Sequence, residues 1–338
     1  DHSSHSRSRS METLLSVEDL HVEFRGRRAT ARALEGVSYD VRSGETVCVV
    51  GESGCGKTVS ALSILGILPV PPARITQGRI RFQDLDLLDL DEEALQGVRG
   101  NRIAMVFQEP MTSLNPVFTI GDQIREAIQV HKKVSDPEAR NRVISLLRDV
   151  GIASPQDRLR DYPHQLSGGQ RQRVMIAMAL SCGPELLIAD EPTTALDVTI
   201  QVQILKLFRE IQHQKGLSLL YITHDLGVVA QIADRIFVMY AGVITEQGKA
   251  RAIFHEPRHP YTKGLLASLP ARTRRGSPLY SVPGAVPDPA HKPAGCPFHP
   301  RCPIAEASCR EALPALCDWG EGHWSRCPVL YKSPDKDA

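Results

Sequence analysis

Five short apolar runs with β-branched content punctuate the first 250 positions: 47–50 (VCVV), 103–107 (IAMVF), 186–189 (LLIA), 219–223 (LLYIT) and 236–240 (IFVMY). Such runs, bounded by turn-forming and polar residues, predict strands. Positions 58–65, directly after the first run, read as a helix. Between Gln108 and Leu166 the apolar period lengthens, and Ile124, Ile128, Val143, Leu146 and Leu147 fall on amphipathic helical faces. Strands alternating with helices imply an α/β fold with a mostly parallel sheet. The helical stretch of 57 residues reads as an insertion between two of its strands.

Proline draws the main boundary. Ten of the 24 prolines precede residue 251, and fourteen fall in the 88 residues that follow. The reading therefore divides the chain into a domain over 11–250, with a helical subdomain at about 109–182, and a Pro- and Cys-rich extension over 251–338. Residues 1–10 (DHSSHSRSRS), ahead of Met11, read as an expression-tag remnant or a short disordered tail. No internal repeat is present. No apolar run approaches the ~20 residues of a membrane-spanning helix, and no run of signal-peptide length follows the first basic residues. A net charge of +1 supplies no global basic field, which argues against nucleic acid as the main partner.

The first strand runs into residues 51–58, GESGCGKT, the spacing of a phosphate-binding loop between strand and helix. Gly51, Ser53, Gly54, Cys55 and Gly56 present successive backbone N–H groups that can curl around phosphate oxygens at a helix N-terminus. Lys57 adds a point charge, and the Thr58 hydroxyl suits Mg²⁺. The run 186–189 ends in Asp190, placed to hold Mg²⁺, and Glu191, which can polarise an attacking water as a general base. These residues point to a P-loop NTPase and no further.

Residues 166–170 read LSGGQ and are followed by Arg171, Gln172 and Arg173 and an apolar helix through Leu180. This segment resembles the signature motif of ATP-binding-cassette proteins, and the resemblance spans roughly residues 14–248. It implies an α/β cassette of the P-loop type with a mixed sheet core. It also implies that Ser167, Gly168, Gly169 and Gln170 close over ATP held by a partner cassette. Residue by residue, Gln108 resembles the glutamine that senses Mg²⁺ and water, and Asp197, in Ala195-Leu196-Asp197, the loop crossing the dimer interface. His224 resembles the switch histidine beside the γ-phosphate, and Phe24 the aromatic that stacks on adenine. With Glu191 and His224 in place, nothing marks a degenerate, non-hydrolysing cassette.

Residues 108–116 (QEPMTSLNP) and 258–266 (RHPYTKGLL) resemble ATPase subunits of bacterial dipeptide and oligopeptide importers. That resemblance implies a heterodimer of ATPase subunits, two membrane permeases and an extracytoplasmic substrate-binding protein. It places the chain peripherally on the cytoplasmic face of the inner membrane. Importers of nickel and some other small solutes share the pattern and are the alternative. A DNA-repair cassette is a remote one, since the insertion is compact and the crowded cysteines follow the cassette.

Of eight cysteines, Cys296, Cys302, Cys309, Cys317 and Cys327 crowd into 32 residues. Four thiolates can hold Zn²⁺ or an iron–sulfur cluster, although zinc knuckles usually show tighter spacing; reduced, buried cysteines are the third reading. The importer resemblance implies a 4Fe–4S cluster on Cys296, Cys302, Cys309 and Cys327, with Cys317 a fifth thiol outside the pattern.

Overall fold

A computed structural model describes residues 12–27, 29–108, 113–194, 196–269 and 280–331. The leader 1–10 lies outside the described residues, as do Ala195 and positions 109–112 of the QEPMTSLNP segment.

Eight strands form the main sheet: β3 (Thr46–Val50), β6 (Ile103–Val106), β7 (Leu186–Asp190), β8 (Ser218–Thr223), β9 (Arg235–Tyr240), β10 (Val243–Lys249), β11 (Cys317–Asp318) and β12 (Trp324–Ser325). Their order is β11-β12-β10-β9-β3-β8-β7-β6. The five strands expected from apolar runs lie side by side and pair in parallel. Their unbroken apolarity has a direct cause, because successive residues enter two different cores. Val47, Val49, Leu186, Ile188, Leu220, Ile222, Phe237 and Met239 face one core. Cys48, Val50, Leu187, Ala189, Leu219, Tyr221, Ile236, Val238 and Tyr240 face the other. At ~1.5–3 kcal/mol for each fully buried large aliphatic side chain, these strands anchor the fold.

The first core is roofed by α1 (Lys57–Ile64) and by a second, antiparallel sheet. That sheet runs β2 (Thr30–Arg42), β1 (Thr13–Arg25), β4 (Ala73–Phe82), β5 (Leu85–Asp86). A short helix, α2 (Glu92–Val98), capped by Asp91, leads from it towards β6. The second core takes the helical layer: α3 (Ile120–His131), α4 (Asp136–Asp149), α5 (Pro155–Arg158), α6 (Gly168–Ala179), α7 (Val198–Lys215) and α8 (Leu226–Ile232). Ile124, Ile128, Val143, Leu146 and Leu147 are all buried there. No helix among the described residues is long and apolar enough to cross a membrane.

The C-terminal segment continues the main sheet. After α9 (Ala250–His255) and α10 (Pro260–Ala267), strand β12 pairs antiparallel with β10, and β11 pairs with β12. The chain ends its described part in α11 (Pro328–Tyr331). Glu246 of β10, 0% exposed, ties the layers together. It accepts from the backbone N–H groups of Arg258 (2.6 Å) and His259 (3.0 Å) and pairs with His323 (2.7 Å). A buried carboxylate needs such full satisfaction. Phe298 packs at 5.3 Å from both Tyr240 and Tyr261, which lie 4.6 Å apart, closing an aromatic cluster under the phosphate loop.

Candidate functional site

The phosphate loop sits where β3 emerges from the sheet and α1 begins. Two of its glycines are dictated by space as well as by backbone angle. A Cβ at Gly51 (φ 156°) would lie 2.1 Å from the Met239 carbonyl oxygen, and one at Gly56 (φ 105°) would lie 2.7 Å from Leu34. Lys57 is buried, and its ammonium donates to the Gly51 carbonyl at 2.8 Å and the Glu52 carbonyl at 3.1 Å. The lysine thus rests against its own loop.

Opposite the loop, the carboxyl end of β7, a strand paired on both sides, delivers Asp190 and Glu191. Burial raises the Asp190 carboxyl above its ordinary value, against a hydrogen bond from Thr58; adjacent Glu191 raises it further, and nearby Lys57 opposes. One Asp190 oxygen, Oδ1, is buried without a hydrogen-bond partner. A cation between Asp190 and Thr58 would satisfy that oxygen, so the donor set fits Mg²⁺.

Glu191 adopts φ 46°, an uncommon left-handed conformation for a non-glycine residue. Its amide donates to the Ile222 carbonyl at 2.9 Å, which ties it to β8. Its carboxylate gathers three neighbours: Gln108 Nε2 at 3.3 Å, Thr194 Oγ1 at 3.0 Å and His224 Nδ1 at 3.1 Å. Gln108 arrives from the end of β6 and His224 from the end of β8. Three sequence-distant strands therefore deliver one hydrogen-bonded carboxylate, amide and imidazole.

Phe24, Ser53, Gly54, Gly56, Lys57, Thr58, Gln108 and Glu191 line one cavity of about 360 Å³, large enough for a small-molecule ligand. Asp190 lies in a neighbouring cavity of about 1080 Å³ that shares Thr58 and Gln108. Gly51 is not among the cavity-lining residues. The Cys55 thiol is buried under the loop, 3.8 Å from the Lys57 ammonium, so only its backbone is available to a phosphate. Four lining residues escaped sequence reasoning: Ala31 and Ala33 of β2, Val59 of α1, and Pro289 from the extension, whose carbonyl accepts from the Arg32 amide at 3.0 Å.

None of Ser167, Gly168, Gly169, Gln170 or Asp197 lines that cavity. Ser167 caps α6 in a reciprocal box with Gln170, with bonds of 2.9 and 3.3 Å. Asp197 caps α7, its carboxylate accepting from the Ile200 amide at 3.0 Å. The two helix starts are neighbours, since a Cβ on Gly168 would meet Leu196 at 3.9 Å and one on Gly169 would meet Ile200 at 3.0 Å. Ser167, Gly168 and Asp197 are exposed on that shared surface.

Cys296, Cys302, Cys309 and Cys327 all line one small cavity of about 20 Å³, whereas Cys317 lies apart in β11. All are free thiols. Burial pushes the Cys296 and Cys302 thiols up and Cys327 to about 11. Among the described residues, no group of three or more His, Cys, Asp or Glu side chains is arranged to hold a metal ion. The four sulfurs converge in chemistry suited to a soft metal without forming a ligand shell.

A phosphate loop at the carboxyl end of a parallel strand, faced by an acidic strand end and a histidine, defines a nucleotide-binding P-loop domain. The family comparisons narrow this class. The ABC transporter family matches residues 34–194, and the oligopeptide/dipeptide transporter C-terminal region matches 245–309. The dipeptide transport ATP-binding protein DppD of Bacillus subtilis (strain 168) is 52% identical over 317 residues, covering 94% of this chain and 95% of the relative. DppD of Escherichia coli (strain K12) is 50% identical over 314 residues, covering 93% and 96%. A dimeric ATP-binding cassette in a post-hydrolysis state, bound to ADP and Pi, superposes with a TM-score of 0.63 at 27% identity, covering 70% of this chain and 99% of that one. The cbiO1 subunit of the ABC transporter complex cbiONQ from Clostridium perfringens gives 0.63 at 31% identity, covering 72% and 92%. The chain belongs to the ABC transporter ATP-binding proteins, and it is an ATPase.

Proposed function

We propose that this chain powers the import of di- or oligopeptides through a multi-subunit ABC transporter. The carrying observation is the match of its extension to the oligopeptide/dipeptide transporter C-terminal region, in a chain half identical to DppD proteins along nearly its whole length. The chain works at the cytoplasmic face of the membrane as one of two different ATPase subunits, beneath two permeases supplied by an extracytoplasmic binding protein. Its cassette occupies 11–250, with the helical subdomain at about 109–182, and its extension occupies 251–338.

Within the cassette each residue has a task. Backbone N–H groups of Gly54, Cys55 and Gly56 cradle the phosphates, and Lys57 moves from its loop carbonyls onto them. Phe24 stacks on adenine. Thr58, Asp190 and Gln108 hold Mg²⁺, which when bound neutralises phosphate charge. Glu191 orients and polarises the attacking water, and His224, hydrogen-bonded to it, fixes that carboxylate and meets the γ-phosphate. Ser167, Gly168, Gly169, Gln170 and Asp197 serve the partner's nucleotide. Glu191→Gln keeps the hydrogen-bonding shape and removes the base. It is expected to lower kcat by about 10²–10⁴-fold with ATP affinity retained; unchanged hydrolysis would remove Glu191 from the role. In proteoliposomes holding the full transporter, peptide-loaded binding protein is expected to stimulate hydrolysis, and stimulation by nickel alone would overturn the cargo.

The convergence of four thiols, three of them followed by proline, supports a 4Fe–4S cluster on Cys296, Cys302, Cys309 and Cys327. Iron and acid-labile sulfide in anaerobically purified protein are expected at about four each per chain. One zinc and no sulfide, or no metal, rejects the cluster.

A further inference from the structure

Among the described residues, the hydrogen bonds from the extension to the phosphate loop converge on Glu52. Arg301 grips its carboxylate in a two-pronged ion pair, with Nη1 donating to Oε2 at 2.7 Å and Nη2 to Oε1 at 3.1 Å. Arg301 is only 5% exposed and Glu52 29%, so the pair is largely sheltered from water. Every other donor of the guanidinium is spent as well: on Tyr240 Oη at 3.2 Å, the Pro283 carbonyl at 2.7 Å and the Val282 carbonyl at 3.0 Å. A second tether comes from Tyr261, whose hydroxyl accepts from the Glu52 amide at 2.9 Å. On its other side the Glu52 carbonyl accepts from Lys57. Glu52 is therefore the joint between the extension and the phosphate-binding lysine.

We infer that the extension is a working part of the nucleotide site, with Arg301 and Tyr261 acting as positioning residues that hold the phosphate loop in its anion-binding curl. The inference rests on reading 51–58 as that loop. An empty Gly-rich loop has many conformations to choose from, and its N–H groups bind phosphate only in one of them. Holding the Glu52 peptide and carboxylate from below removes much of that freedom before ATP arrives, which raises affinity through preorganisation. Tyr261 is itself wedged between Tyr240 and Phe298, so the hold is stiff. Neither residue touches the group of Gln108, Glu191 and His224, so the effect belongs to ATP binding rather than to bond cleavage.

The test measures Mg²⁺–ATP binding to the full chain by calorimetry, with kcat and KM alongside and thermal melting as a check on folding. Arg301→Ala and Glu52→Gln are each expected to raise the Kd for ATP about tenfold, the scale of one charge-assisted hydrogen bond. The double variant is expected to be no worse than either single, because both remove the same pair. Arg301→Lys, which cannot form the two-pronged contact, should recover only part of the affinity. Tyr261→Phe should weaken binding while KM rises and kcat stays within about twofold. Unchanged Kd in folded Arg301→Ala, or additive losses in the double variant, overturns the inference. If Arg301→Ala does not fold, Glu52→Gln, which alters only the loop side of the pair, decides alone. Lys57→Ala separates the two claims: retained ATP binding in that variant overturns the phosphate-loop reading itself, whereas loss there with normal binding in Glu52→Gln overturns only the tether.

Discussion

His259 shows how a single residue can set the chain's response to acid. It is buried, its Nδ1 accepts the Tyr261 amide at 3.1 Å as the cap of α10, and burial lowers its pKa to about 3. A ring nitrogen acting as acceptor has no room for a second proton. The folded state therefore refuses a proton that the unfolded chain takes up near pH 6.5, so stability falls as pH drops through 6.5 and keeps falling towards 3. At pH 5 the loss from this group is about 2 kcal/mol. His259→Asn keeps a capping acceptor that does not titrate in this range. Melting curves at pH 7.5 and 5 are expected to show a smaller drop for the variant than for the parent, and equal drops would place the acid sensitivity elsewhere. The same scale separates what sequence reveals from what it hides. The residues from Gly51 to Thr58 are contiguous, so their chemistry can be read in a line. Arg301 grips that loop, and Pro289 lines the cavity beside it, from more than two hundred positions away, and only the folded chain brings them there.

At the scale of elements, legibility followed burial. The parallel strands are apolar on both faces because two cores claim them, and each stood out as an unbroken run. The antiparallel strands β1, β2 and β4 did not. Their pairing slips between Thr13 and Leu15, Val17 and Leu20, and Leu20 and Val22, so the alternation that announces a half-buried strand is broken repeatedly. β11 and β12, two residues each, are too short to carry any period and exist because β10 offers an edge. The helices of the insertion were legible from Ile124, Ile128, Val143, Leu146 and Leu147, since each turns one apolar stripe to a single core. The cysteine-bearing segment is held by pairing, aromatic packing and Glu246, none of which leaves a periodic trace.

For the whole molecule, the decisive feature is that the cavity beside the Gly-rich loop and the exposed starts of α6 and α7 do not meet. The phosphate loop lines its cavity with Glu191 and Gln108, while Ser167, Gly168 and Asp197 lie exposed at the paired starts of α6 and α7. The N-terminus of α6 attracts anions, and its first exposed N–H groups have no ligand from their own chain's cavity. A second cassette presenting ATP on its own loop would fill that need, and this chain's ATP would meet the partner's signature helix in return. Trapping ATP by Glu191→Gln is therefore expected to shift the chain, mixed with the second ATPase subunit proposed for its transporter, to the size of a two-cassette complex on gel filtration; ADP should release it. Gly168→Asp gives the complementary result. Among the described residues a Cβ there meets only Leu196, at 3.9 Å, and an acidic residue suits a helix N-terminus, so the fold and ATP binding to its own loop should survive. The added carboxylate would repel the partner's γ-phosphate, and the ATP-dependent complex should weaken by at least tenfold, as one unfavourable charge contact of ~1.4 kcal/mol requires. Complex formation equal to that of the parent would show that this surface does not face nucleotide.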